Sequence, residues 1–115
     1  MTVPLEITFR GMSPSPAVED SVRQWLDRLA AQFDRLQRCE VVIEVPHKSQ
    51  HKGQTFHVRV ELVVPDKVIE VARDPGLDHA HEDVYVAITD AFRAARRQLQ
   101  DHAQIIRGDV KRHAG

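Results

Sequence analysis

Arginine and lysine side chains are the residues of this sequence whose type and spacing best fit a chemical role. Arg93, Arg96 and Arg97 lie in the stretch from His81 to about Ile106, where apolar residues recur at steps of three and four. This period predicts an amphipathic helix whose apolar stripe faces the core and whose arginines face solvent. A guanidinium group binds phosphate oxygens through several N–H donors. A solvated helix face without a partner has the same pattern, so the spacing alone leaves both interpretations open.

Basic residues elsewhere extend this candidate surface. The loop from Pro46 to Gln54 has two lysines, two histidines and no acid, and the first predicted helix and the C-terminal tail carry further basic residues. This predicted arrangement, two helices and a loop with basic groups, is similar to the surfaces that bind double-stranded RNA. Such surfaces contact phosphates and 2′-hydroxyl groups. The predicted RNA-binding residues are Arg23, Arg28, Lys48, Lys52, Arg93, Arg96, Arg97, Arg107 and Lys111.

Histidines could hold a metal ion, but their arrangement does not favour one. His47 and His51 lie in a glycine-containing loop, and His79 and His81 lie at the entry to the last helix. Neither a cysteine pair nor a zinc-binding helix motif accompanies them. We therefore expect no metal site, and we interpret the loop histidines as groups that add positive charge when protonated.

Catalytic residues are equally hard to find. Glu82 and Asp83 stand at the start of the last helix, where carboxylates complement the helix dipole. The single cysteine, Cys39, falls at a strand start and is predicted to be a buried, inert thiol. The sequence has no nucleophile elbow, phosphate-binding glycine loop or dinucleotide fingerprint. It predicts a protein without catalytic activity and without a cofactor.

Composition sets the class of protein. A chain of 115 residues can bury one core without disulfides. A net charge of −1 means that any anionic partner must be bound by a local basic patch. We expect no signal peptide, because the first residues lack a basic leader and a long apolar run, and no apolar run approaches the ~20 residues of a membrane span. We expect a soluble cytoplasmic protein with no membrane or small-molecule partner.

The hydrophobic pattern predicts the order β-α-β-β-β-α. Alternating apolar residues indicate strands at 5–10, 39–45, 56–64 and 67–73, and Ser13 or Ser15 caps a helix whose apolar stripe includes Trp25 as a core residue. A right-handed β-α-β unit followed by two hairpins gives a mixed four-stranded sheet. We predict an α+β fold with both helices on one face, as in double-stranded-RNA-binding domains, and a solvated opposite face. Residues 1–107 form the domain, and 108–115, which begin with a helix break at Gly108, form a flexible basic tail.

The chain resembles the ribosome hibernation-promoting factor and ribosome-associated inhibitor family, also called ribosomal subunit interface proteins. Residues 82–88, EDVYVAI, followed by Arg97-Gln98-Leu99, are similar to the family's D-x-Y-x-A-I…R-Q-L helix. The loop His51-Lys52-Gly53 before a strand, and residues 5–11 before the capped helix, fit the same pattern. The family's β-α-β-β-β-α fold agrees with the order that the periodicity predicts.

The resemblance implies a non-enzymatic protein that binds rRNA of the small ribosomal subunit and blocks translation under stress or in stationary phase. Arg97 matches the arginine of the family's R-Q-L stretch, and Lys52 fits its basic loop. Tyr85 matches the family's tyrosine, which we expect to pack at the core edge rather than contact RNA.

Three departures from the family's pattern indicate a divergent, short member. Residues 100–103, QDHA, stand where the family usually has several basic residues, and Thr89 stands at a usually acidic position. We also expect the chain to lack the extra C-terminal domain with which long members of the family pair ribosomes. We therefore expect inactivation of single ribosomes or assistance to another factor.

An alternative function is a protein-interaction module on the same scaffold. An exposed sheet edge, or the strand face bearing Val42, Val63 and Val68, could form a homo- or heteromeric contact. We expect a monomer or a weak homodimer.

Overall fold

The computed structural model describes residues 2–45, 55–73 and 83–114, with the backbone alone described at 73 and 105–114. Four strands and two helices follow one another in the predicted order: β1 Leu5–Arg10, α1 Pro16–Gln32, β2 Arg38–Glu44, β3 His57–Val64, β4 Lys67–Arg73 and α2 Val84–Ala114. The predicted loop at 46–54 lies outside the described residues.

The strands form one sheet in the order β1-β2-β3-β4. β1 and β2 are parallel, because α1 crosses over between them, while β2–β3 and β3–β4 are antiparallel. The turn at Pro65 and Asp66 joins β3 to β4. The predicted mixed sheet is therefore confirmed.

The core lies between the sheet and the two helices. Alternate strand residues such as Val41, Val60 and Leu62 are fully buried, and they meet the buried side chains of α1 and α2 in one cluster. α2 lies over β3 and β4 and also packs against α1. The predicted two-layer α+β fold, with both helices on one face, is confirmed.

The N-terminus of α1 shows how local chemistry fixes the helix start. Ser15 is the N-cap: its hydroxyl accepts a hydrogen bond from the Val18 N–H at 3.3 Å, and Pro16 occupies the first helical position. Before this cap, Gly11 has a φ of +73°, and a Cβ there would overlap the carbonyl oxygen of Val45. Only glycine fits this close approach of β1 to the end of β2.

The extent of α2 differs from the prediction at both ends. The helix begins at Val84 rather than His81, because Asp83 caps it by accepting a hydrogen bond from the Tyr85 N–H at 2.9 Å. The sequence predicts Asp78 or His79 as the cap of this helix, and both lie outside the described residues.

At its C-terminal end α2 passes through Gly108 and reaches Ala114, so the predicted break at Gly108 is wrong. A lone glycine costs a helix only about 1 kcal/mol, and no proline follows to end it. The division into a domain of 1–107 and a tail of 108–115 stays a prediction. In the described part of the chain, no helix is both long and apolar enough to cross a membrane.

Candidate nucleic-acid interface

α1 and α2 lie side by side and run in the same direction. The rings of Trp25 and Phe92 stack with centroids 5.8 Å apart and planes 9° from parallel. Further along both helices, Phe33 lines the same cavity as Leu99 and Ala103. Residues that follow Trp25 on the first helix therefore lie beside residues that follow Phe92 on the second.

Arg28 is held at the solvent side of this helix pair. Its guanidinium carbon lies 5.4 Å from the Trp25 ring centroid, within cation–π distance. Trp25 is in turn supported from the core by Phe92, which is fully buried. The three side chains form a column, Phe92–Trp25–Arg28, that restricts where the exposed guanidinium group can lie.

The arginines of α2 occupy its outer side. Arg93 and Arg97 are exposed, and their spacing of four residues places them one turn apart on one face. Arg96 is half-buried and lies one turn beyond Phe92, so it belongs to the side of α2 that faces α1. The register of the two helices, fixed by the Trp25–Phe92 stack, then places Arg96 on the same side as Arg28.

These four residues, Arg28, Arg93, Arg96 and Arg97, form what we call the helix arginine cluster. Among the residues that the structure describes, no carboxylate lies within 4.0 Å of their guanidinium nitrogens. A guanidinium group without a carboxylate partner keeps its donors for an external anion. Four of the nine predicted RNA-binding residues thus lie on the α2-facing side of α1 or on the α1-facing and outer sides of α2.

Arg23 lies elsewhere. Its Nη1 atom donates to the Val3 carbonyl oxygen at 3.0 Å and is 3.9 Å from the Asp27 carboxylate. It also lines a groove beside β1, on the side of α1 away from α2. The structure therefore does not bring Arg23 into the cluster, and its role in RNA binding stays a prediction.

The remaining predicted RNA-binding residues cannot be placed as side chains. Lys48 and Lys52 lie outside the described residues. Arg107 and Lys111 belong to the part of α2 for which only the backbone is described. Their contribution to the surface stays a prediction from the sequence.

Two aromatic residues show what sequence reasoning missed. Trp25 packs against the core as predicted, but it also supports Arg28, and the spacing of three residues between them was the available signal. Tyr85 was expected at the core edge, yet the residue is 45% exposed. It lies in the first turn of α2, seven residues before Phe92 and on the same side of the helix, and its exposure leaves part of the residue open to a partner.

The thiol of Cys39 does not belong to a reactive site. Cys39 is fully buried, and this burial raises the pKa of its thiol to about 12. The group stays protonated at neutral pH and is a poor nucleophile, which confirms the predicted inert thiol. Across the described ranges, no three histidine, cysteine or acidic side chains come close enough together to hold a metal ion.

Comparison with known proteins agrees with this architecture. A ribosome hibernation promoting factor of Acinetobacter guillouiae is 28% identical over 106 residues, covering 88% of this chain and 89% of the relative. A ribosomal subunit interface protein from Coxiella burnetii has a TM-score of 0.72 at 15% identity, covering 89% of this chain and 99% of that one. The Protein Y N-terminal domain of Thermus thermophilus has a TM-score of 0.67 at 21% identity, covering 89% and 99%. At these identities the two structures show the shared fold alone.

The profile of one protein family covers nearly the whole domain. This family is described as sigma 54 modulation protein / S30EA ribosomal protein, and its match extends over residues 5–107, from the start of β1 to beyond the helix arginine cluster. The predicted resemblance is thereby confirmed: the chain belongs to the sigma 54 modulation protein / S30EA ribosomal protein family.

Proposed function

We propose that this protein is a non-enzymatic, cytoplasmic hibernation factor that binds rRNA of the small ribosomal subunit and inhibits translation under stress or in stationary phase. Its family, and the names of its relatives as a hibernation promoting factor and a subunit interface protein, support a ribosomal partner. We infer the RNA contact from the helix arginine cluster. Its guanidinium groups have no carboxylate partners within the described residues.

Phosphate binding explains how a chain of net charge −1 binds a polyanion. At physiological salt, charges beyond about 8 Å are largely screened, so the nearest side chains decide the interaction. Arg28 lies on α1 and Arg96 on the side of α2 that faces α1, while Arg93 and Arg97 extend the surface outwards. This arrangement suits contact with several successive phosphates rather than with base edges.

Other basic residues complete the proposal. Lys48 and Lys52 would reach the RNA from the loop between β2 and β3, and Arg107 and Lys111 from the C-terminal part of α2. Arg23 would contribute only if it left its Val3 and Asp27 partners, so we assign it the smallest role. The protein would act as a monomer or weak homodimer, without a membrane or small-molecule partner.

Co-sedimentation with purified small subunits tests this function. Wild-type protein should pellet with the subunits at low salt and be released as salt rises, because bound arginines displace counterions from the phosphates. Arg93→Ala plus Arg97→Ala should reduce the log–log salt slope by about two and the affinity at least about tenfold.

Arg38→Ala plus Arg59→Ala is the matched control. It also removes two exposed arginines, but both are ion-paired with glutamates on the open face of the sheet. We expect this control to bind like wild type. Equal binding by both double variants would exclude the helix arginine cluster as the contact surface.

A protein-interaction module remains the second candidate, because the open face of the sheet has an apolar patch. Val68 is 54% exposed and lies directly opposite Val63 in the β3–β4 register. Binding through this patch would be nearly independent of salt. Salt-insensitive co-sedimentation that Val68→Asp abolishes would favour this alternative.

A further inference from the structure

β1 forms one edge of the sheet, and its hydrogen bonds to β2 show which backbone groups point outwards. The carbonyl oxygens of Pro4 and Arg10 accept from β2-side N–H groups at 3.0 and 2.9 Å. In a parallel pair of strands, the backbone N–H and C=O groups of every second residue point to the same neighbouring strand. The backbone groups of the even-numbered residues of β1 therefore point to β2. Leu5, Ile7 and Phe9 therefore present their N–H and C=O groups at the outer edge, where no described strand pairs with them.

The same three residues place their side chains under the helix layer. They are half-buried, whereas Val41 and Ile43, the register partners of Ile7 and Phe9 in β2, are fully buried. The difference arises because α1 does not fully cover β1: an open groove of about 660 Å³ remains between them, and Leu5, Ile7 and Phe9 line it. A strand added to this edge would place alternate side chains in the groove.

The free charge of the groove is negative. Glu19 and Asp20 of α1 line it and are exposed, and no cation of the described residues lies within 4.0 Å of their carboxylates. Arg23 also lines the groove, but its guanidinium group is bonded to the Val3 carbonyl oxygen and lies near Asp27. Arg23 thus binds the Val3 carbonyl oxygen at one end of the β1 edge. The rim of the groove, formed by Glu19 and Asp20, therefore stays acidic.

We propose that the groove between β1 and α1 binds an extended, basic segment of a partner protein. The segment adds to the sheet as a fifth strand and bonds to the outward backbone groups of Leu5, Ile7 and Phe9. Its groove-facing side chains alternate with solvent-facing ones: the apolar ones contact the β1 side chains, and a basic one pairs with Glu19 or Asp20. Backbone pairing gives the affinity, and the acidic rim selects the charge.

Charge favours such a segment over a second copy of this chain. Antiparallel pairing of two β1 edges places both α1 helices on the same side of the joined sheet. The acidic rims of the two copies would then add negative charge to one shared groove, whereas a basic segment neutralises it. The groove and the helix arginine cluster lie on opposite sides of α1, so one protein can hold RNA and this segment together.

An NMR titration of the intact ¹⁵N-labelled protein with a synthetic peptide tests the proposal. The probe is Thr-Val-Thr-Lys-Thr-Val-Thr, blocked at both ends, in which valine and lysine share one face. Amide signals of Leu5, Ile7 and Phe9 should shift as the peptide is added. Absence of these shifts at millimolar peptide, with the protein folded, would overturn the proposal.

Backbone methylation separates strand addition from non-specific attraction. One peptide carries N-methyl groups on its two valines, and a second carries them on its two central threonines. Only one alternate set of N–H groups faces β1, so one peptide should bind at least about tenfold more weakly and the other within about twofold of the parent. Equal affinities of the two methylated peptides would contradict strand addition.

Charge reversal tests the rim. Asp20→Lys should weaken the lysine peptide several-fold and strengthen a peptide with glutamate in place of lysine. Asp34→Lys, which reverses an exposed acid outside the groove, should change neither. Identical effects of the two variants would exclude the acidic rim. A dimer in sedimentation velocity whose Leu5, Ile7 and Phe9 amides are protected would show that a second copy occupies the edge instead.

Discussion

The helix side and the open sheet side of this protein both carry exposed arginines, yet they use them differently. Arg93 and Arg97 on α2 have no carboxylate partner among the described residues. Arg38 in β2 contacts Glu6 at 3.2 Å and Glu40 at 3.8 Å. The number of arginines on a surface therefore does not predict what it binds; the neighbours that the fold gives each arginine do.

The strand register explains why the arginines on the open face of the sheet are paired with glutamates. Glutamates lie side by side across all four strands, in a row formed by Glu6, Glu40, Glu61 and Glu70. Like charges directly opposite one another destabilise a sheet. Arg38 and Arg59 flank this row; the hydrogen bond from Arg59 to Glu70 raises the pKa of Arg59 above its usual value. The row has four glutamates against these two arginines, so this part of the sheet face would disfavour contact with a polyanion.

Removing the ring of Phe92, which stacks on Trp25 between the helices, should produce the largest effect on stability. Phe92→Ala deletes a fully buried ring and should lower the free energy of unfolding by ~3–5 kcal/mol. Urea denaturation measures this change. Val68→Ala, at a position that is 54% exposed on the sheet side, should stay within ~0.5 kcal/mol of wild type. Similar losses for the two variants would mean that Phe92 does not support the helix pair.

The contact of Arg28 with Trp25 should have an intermediate effect. A cation–π contact at an exposed site contributes about 0.5–1 kcal/mol, so Trp25→Leu should weaken RNA binding about two- to fivefold through Arg28 alone. Because Trp25 is the only tryptophan, its fluorescence also reports the approach of RNA to the helix arginine cluster.

A double-mutant cycle separates this positioning from simple loss of packing. In an Arg28→Ala background, Trp25→Leu should have no further effect on small-subunit affinity. Additive losses in the cycle would show that Trp25 and Arg28 act independently. Thermal unfolding of each variant provides the control that the fold is retained.

The same contrast explains what the sequence could and could not predict. Strand faces and the buried Cys39 were predictable because period-two alternation is local, and Ser15 lay beside the helix that it caps. The separation of Arg23 from Arg28 was not, since it depends on which side of α1 faces α2 and which faces β1. The alternating pattern predicts that Arg59 pairs with a glutamate across strands, but which glutamates Arg38 and Arg59 contact required the strand register. The end of α2 was missed because the cost of one glycine was overestimated.

The smallest effect is expected from relieving the glutamate row. Glu61 lies opposite Glu40 on one side and Glu70 on the other, so Glu61→Gln should raise the free energy of unfolding by about 0.2–1 kcal/mol. Glu70→Gln removes the carboxylate partner of Arg59 and should therefore not stabilise the protein. It measures the stabilising contribution of the Arg59–Glu70 ion pair, which opposes the repulsion within the row. Neither variant should change the affinity for small subunits, because both lie on the face away from the helix arginine cluster. A loss of stability in Glu61→Gln would show that hydrogen bonding or solvation at Glu61 outweighs repulsion within the row.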